Sequence, residues 1–236
     1  MVINSIKMKK IIKKIVSFVN SMYAVFFSKR IFLNKSSFYF VKTNVQINNK
    51  VIFRNCEISN SKINIYGSLN KIEASNSLIH DSHIHISGSD NKLILEKSVK
   101  LRGAIIHIRG KNCLIKIGNN TTTGGIRIVN VGTNNSVEIG RDCLFADNIE
   151  IWASDTHSIY NKQNQLLNSE KPVTICDRVW VGSHVIILKD VVIHSDSVIG
   201  MGSVVTKDIP KGVISAGSPN RTIKENITWK LDYKIK

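Results

Sequence analysis

From Ile175 onward an aliphatic residue returns at every sixth position. The frame runs ICDRVW, VGSHVI, ILKDVV, IHSDSV, IGMGSV, VTKDIP, with Ile175, Val181, Ile187, Ile193, Ile199 and Val205 leading each unit. The fifth position, filled by Val179, Val185, Val191, Ser197, Ser203 and Ile209, is aliphatic or small. A period of six fits neither the 3.6-residue turn of a helix nor the two-residue alternation of an isolated strand. It fits a triangular solenoid. Each six-residue unit forms one flat side, three sides close a coil, and the aliphatic residue points inward onto its equivalents in adjacent coils. IGRDCL, FADNIE, IWASDT, from Ile139 to Thr156, repeats the frame for one further coil. Between the two blocks the frame positions would be His157, Gln163 and Ser169, which cannot fill an apolar core. An excursion loop is therefore expected near 157–172.

Farther upstream the period lengthens. Gly67, Gly88, Gly110 and Gly132 recur at intervals of 21, 22 and 22, each beside alternating aliphatics such as Ile63/Ile65, Ile84/Ile86 and Ile106/Ile108. Alternation of period two marks half-buried strands, and the glycine followed by asparagine marks a turn tolerant of positive φ. The expected architecture is an all-β solenoid: coils of longer period over 41–137, hexapeptide coils over 138–221, and a tail over 222–236. The Gly-Ser-Pro turn at 217–219 ends the last coil, and a short helical segment or an extended tail is expected from Thr222.

Residues 1–40 differ from the repeats. Ile11 to Phe27 reads IIKKIVSFVNSMYAVFF, with Lys7, Lys9 and Lys10 before it and Lys29 and Arg30 after it. Lys13, Lys14 and Asn20 interrupt the run, which falls short of the ~20 apolar residues of a spanning helix. A small-residue cleavage site is missing, so a secretory signal is not expected. Two readings stay open: a basic amphipathic helix packed on the domain or a neighbouring subunit, or one lying on an anionic inner membrane surface.

The chain of 236 residues has a formal net charge of +16. That favours anionic partners without choosing among them. Cys56, Cys113, Cys143 and Cys176 are far apart and form no C-x-x-C pair, so reduced, mostly inward-facing thiols in a cytoplasmic protein are expected.

VWVGSHVIILKDVVI, VIGMGSVVTKDIP and SAGSPNR resemble the hexapeptide-repeat acyltransferases, and IWASDTHSIYN resembles the active-site segment of members that O-acetylate bacterial capsule or O-antigen sugars. The resemblance covers Glu138–Trp229. It implies a left-handed parallel β-helix, acetyl-CoA as acyl donor, a carbohydrate acceptor, no nucleic-acid partner, and a homotrimer with each active site between subunits. It assigns the catalytic histidine to His157.

The residues support parts of that assignment. An alcohol is a poor nucleophile at neutral pH, and an imidazole of pKa ~6.5 is suited to take its proton. His157 stands where the frame breaks, so its side chain is expected outside the core. Asp155 could orient the imidazole, as carboxylates do in triads, or cap a corner. Trp180 precedes inward Val181 and therefore points outward, where an aromatic could wall a pantetheine arm or a sugar. Trp152 is outward on the same reasoning, as an acceptor wall or an intersubunit contact. Ser183, Gly202, Thr206, Lys207, Ala216 and Arg221 match positions that line the CoA groove in the family. Lys207 and Arg221 can meet phosphates, and Lys224 could join them. Met201 stands where the family usually has a small residue, which bears on the groove's width.

His85 and His107, 22 apart, would stack on one outward face, while His184 and His194 lie on solenoid sides. No close histidine pair stands beside His157, so these are expected as solvated surface residues and no metal is expected. Besides an O-acetyltransferase acting on surface polysaccharide, two alternatives stand: an N-acetyltransferase on a nucleotide-linked amino sugar, and a non-catalytic glycan-binding β-helix.

Overall fold

The computed structural model describes residues 30–232 together with Ile15. The segment read as a basic amphipathic helix lies outside the described residues, Ile15 and Arg30 apart.

The chain winds into a prism with three walls. The first sheet has eight strands, from Ile31–Asn34 to Val191–Ile193; the second has ten, from Ser37–Tyr39 to Arg221–Lys224; the third has eight, from Lys42–Val45 to Val204–Val205. Among the described residues every strand pairing within the three sheets but one is parallel, because each coil lays its strands on the previous coil in the same direction. The inward residues predicted from the period are buried without exception: Ile175, Val181, Ile187, Ile193, Ile199 and Val205 expose 0–1% of their surface. Ile63, Ile65, Ile84, Ile86, Ile106 and Ile108 do the same in the upstream coils. They form one continuous aliphatic column, and most of the fold's stability is the burial of such side chains, about 1.5–3 kcal/mol each before the entropy of ordering is subtracted.

Most corners between the first and second sheets fall on asparagine or aspartate, which tolerate a left-handed backbone. Asn55, Asn76, Asn120, Asp142 and Asp196 turn the chain between the first and second sheets with φ of 48–64°. The wider coils turn at the end of the third sheet through the glycine ladder. A Cβ on Gly67, Gly88 or Gly110 would fall 1.8–2.0 Å from the carbonyl oxygen of the next glycine in the ladder, so no other residue fits.

The register shows where the coil narrows. First-sheet partners such as Val51 and Ile72, or Ile115 and Val137, are 21–22 residues apart. Val137 then pairs with Val173, and Val173 with Val191. The final interval is 18 residues. The interval before it is 36, because the chain leaves the solenoid after Ser154 and returns at Val173.

One expectation needs correction, and one open alternative is resolved. The solenoid already begins at Ile31, inside the stretch read as the N-terminal segment. The C-terminal segment is not helical among the described residues. Arg221–Lys224 runs antiparallel to Ile214–Ala216 and closes the open edge of the second sheet. The turn at Gly217–Asn220 reverses the chain, and β-branched Thr222 and Ile223 suit the strand that then satisfies the free edge.

Candidate active site

His157 stands where the third sheet gives way to the excursion. After the strand Ile149–Trp152, Ala153 and Ser154 are still buried. Thr156 then turns the chain outward with φ 63°, a conformation that β-branched residues rarely adopt. Its N–H donates to Ser154 Oγ at 3.0 Å. The turn brings the exposed His157 to an open groove of about 370 Å³ on the outer face of the third sheet.

Successive coils build the floor of that groove. His85, His107, Val129 and Trp152 are consecutive partners in the parallel register. The His85 and His107 rings lie 5.9 Å apart, and Tyr66 stacks on His85 at 5.4 Å. Partial burial, with the neighbouring His85 and Arg127, lowers the pKa of His107. Arg109 and Arg127 bring fixed positive charge to the walls. Trp152 Nε1 donates to Glu150 Oε2 at 2.7 Å, which orients the indole.

The excursion is a small hairpin. Tyr160 and Leu166 form an antiparallel bridge, and Leu167 N–H donates to the Ile159 carbonyl at 2.8 Å. Its return strand is tied to the coil by Glu170, whose Oε1 accepts the Thr133 N–H at 2.9 Å. Gly132 is the last rung of the glycine ladder, and there the Glu170 side chain takes the place of the next coil: a Cβ on Gly132 would meet its Oε1 at 2.4 Å. The Thr133 N–H in turn holds the Glu170 carboxyl below its ordinary pKa.

Ser183 and Gly202 lie at the corner between the second and third sheets, while Thr206 and Lys207 lie past the third-sheet strand, toward the first sheet. Gly202 N–H donates to the Ser183 carbonyl at 2.9 Å. Nothing lies within 4 Å of where a Gly202 Cβ would stand, so the corner is open to a ligand there. The Met201 side chain is 71% exposed and projects into solvent. Thr206 and Lys207 follow Val204–Val205, Ala216 ends the strand Ile214–Ala216, and Arg221 opens the last strand; Thr206, Lys207 and Arg221 are exposed.

Residues 172–207 match the family model for the bacterial transferase hexapeptide, in six repeats. Over 137 residues the chain is 36% identical to the polysialic acid O-acetyltransferase of Escherichia coli O1:K1 / APEC, covering 57% of this chain and 43% of that protein. Over 107 residues it is 42% identical to the galactoside O-acetyltransferase of Escherichia coli (strain K12), covering 42% of this chain and 52% of that protein. The chain thus spans about half the length of these curated relatives. Among solved structures, the polySia specific acetyltransferase NeuO superposes with a TM-score of 0.62 at 29% identity, over 88% of this chain and 90% of that one. The polysialic acid O-acetyltransferase OatWY superposes with a TM-score of 0.67 at 26% identity, over 87% and 92%.

Residues 172–207 thus carry the bacterial transferase hexapeptide repeat, and the chain is similar to O-acetyltransferases built on it. Its solenoid is the left-handed parallel β-helix expected from the sequence. The nominated residues fall into separate groups on one chain. His157 belongs to the groove on the third sheet. Trp180 lies on the second sheet, 40% exposed, with its ring 6.1 Å from that of Trp229 on the C-terminal tail, and it is not brought to His157. The Asp155 carboxylate bonds Lys189 and Asn168 and makes no hydrogen bond to the His157 ring. Its Oδ2 accepts from Lys189 Nζ at 2.6 Å and from Asn168 Nδ2 at 2.8 Å. The Lys189 bond, with a lesser one from Asn168, pulls the Asp155 carboxyl below its ordinary pKa against the opposing effect of partial burial. Sequence reasoning expected His85 and His107 to stack on one outward face but did not nominate them for the site, and it passed over Arg109, Arg127 and Lys189. The signal for the histidines was present in their 22-residue spacing, which equals the coil length and stacks them on the groove floor. Lys189 carried no signal, because its partners come from a loop whose path the repeat does not predict.

Proposed function

We propose that this protein moves an acetyl group from acetyl-CoA to a hydroxyl of an acidic surface polysaccharide of the capsule or O-antigen kind. The observation that carries the reading is the groove itself. An exposed histidine stands beside an indole wall on a floor flanked by Arg109 and Arg127. Sugar rings stack on indole, and the guanidinium groups can pair with carboxylates of the acceptor. The relatives named for polysialic acid O-acetylation support the same acceptor class.

In this reading His157 takes the proton from the acceptor hydroxyl. The oxygen attacks the thioester carbonyl carbon, the new C–O bond forms, and the C–S bond breaks. CoA leaves as a thiolate and recovers the proton from the imidazolium, so no acyl-enzyme and no outside reagent are needed. The donor lies along the corner of Ser183 and Gly202, with its phosphates toward Lys207 and Arg221.

The enzyme works as a homotrimer in the cytoplasm. His157 and Trp180 stand on different walls of one chain, so a neighbouring subunit must bring a second wall to the groove. Ile159, Tyr160, Leu166 and Leu167 on the hairpin are each at least half exposed, and a neighbouring copy is the cover they fit. Release of CoA thiol with a panel of acidic and neutral glycans tests the function. The reading expects acetyl-CoA cleavage that depends on a carboxylated acceptor; glycan binding without thiol release would favour a non-catalytic β-helix.

A further inference from the structure

We propose that Lys189 is a positioning residue that holds His157 at the groove through a clamp joining both ends of the excursion. The proposal rests on the reading of His157 as the base. Lys189 follows the third-sheet strand Ile186–Leu188, in the coil after the excursion, and its side chain is only 19% exposed. An ammonium has three N–H donors. Here Nζ meets three oxygens: Asp155 Oδ2 at 2.6 Å, the Asn168 carbonyl at 3.1 Å and the Ser169 carbonyl at 3.0 Å. Asp155 lies on the outgoing chain, two residues before His157. Asn168 and Ser169 lie on the returning chain.

Asn168 carries the clamp to the histidine itself. Its Nδ2 donates to Asp155 Oδ2 and to the His157 carbonyl, each at 2.8 Å, and its Oδ1 accepts the Ile159 N–H at 2.6 Å. The backbone is therefore held before, at and after His157, and each tie leads back to Lys189 directly or through Asn168. A lone ion pair at a surface contributes little order. This one differs because the two remaining donors reach main-chain carbonyls, which fixes where the returning strand can sit. The residues lining the groove do not include Lys189, so its action on the reaction passes through the placement of His157. Placement matters because a general base must lie within hydrogen-bond reach of the hydroxyl.

The test compares Lys189→Met, Lys189→Arg, Asn168→Ala and His157→Ala in the thiol-release assay, with melting followed in parallel. Lys189→Met is expected to lower kcat about 10- to 100-fold, the scale of an ångström of misplacement, with KM for acetyl-CoA and acceptor near wild type. Lys189→Arg recovers part of kcat, since a guanidinium can reach the same oxygens. If Lys189→Met fails to fold, Asn168→Ala decides by the same kcat and KM criteria, because it cuts the ties to His157 and leaves no uncompensated ammonium. A folded Lys189→Met variant with wild-type kcat, or a loss confined to KM, overturns the proposal. His157→Ala keeps the two ideas apart. If it retains turnover, the base assignment fails; if it is inactive while folded Lys189→Met turns over normally, only the clamp fails.

Discussion

Replacing Glu170 by alanine removes the carboxylate that ends the glycine ladder and ties the returning excursion to the coil. The bond lost is the one from Thr133 N–H to Oε1, at 2.9 Å. A hydrogen bond to a charged acceptor contributes about 1.5–3 kcal/mol, and the half-exposed setting of Glu170 puts the loss near the lower end, about 1.5 kcal/mol. For a chain of this size that corresponds to a fall in Tm of about 3–6 °C. Glu170→Gln keeps an acceptor oxygen but not the charge, and a neutral bond of about 1 kcal/mol leaves a smaller deficit.

The effect also has a sign in pH. The folded-state pKa of Glu170 is depressed from 4.5, so its contribution is complete above that value and disappears as pH falls through the lower folded pKa. The gap in Tm between wild type and Glu170→Ala is therefore expected to be full at pH 7 and to close in acid. Scanning calorimetry across pH measures the gap, and hydrogen exchange at the Thr133 amide reports the bond itself. An alanine variant with unchanged Tm and unchanged Thr133 protection at pH 7 would refute the reasoning.

Gly110→Ala places a Cβ 1.8 Å from the Gly132 carbonyl at φ 148°. Backbone on both sides cannot yield, so a loss of about 3 kcal/mol or more is expected; urea unfolding checks it, and a wild-type midpoint would contradict the ladder. Mixing inactive His157→Ala chains with inactive Trp180→Ala chains, by co-expression, is expected to restore part of the activity if each site takes one residue from each of two subunits. Hybrids as inactive as the parents would contradict a shared site.

The fold was legible because a solenoid writes its geometry into the period. The leading aliphatics from Ile175 to Val205 are all core residues, and Gly67, Gly88, Gly110 and Gly132 all mark the wide corner. The site was only partly legible. His157 could be placed because it breaks the frame. Asp155 could not be assigned, since its partner Lys189 is 34 residues away and meets it only through the path of the excursion. The tail stayed open between a helix and an extended chain because the free edge of the second sheet that captures Arg221–Lys224 is a tertiary feature, not a local one.

The central claim is that His157 acts as the base for acetyl transfer in the groove on the third sheet. The most direct measurement is kcat for His157→Ala with acetyl-CoA and a carboxylated glycan, on protein whose fold and assembly match wild type. The account predicts a fall of at least ~10²-fold, the scale of a lost general base, with acetyl-CoA binding retained. A variant that folds, assembles and turns over near the wild-type rate would contradict it.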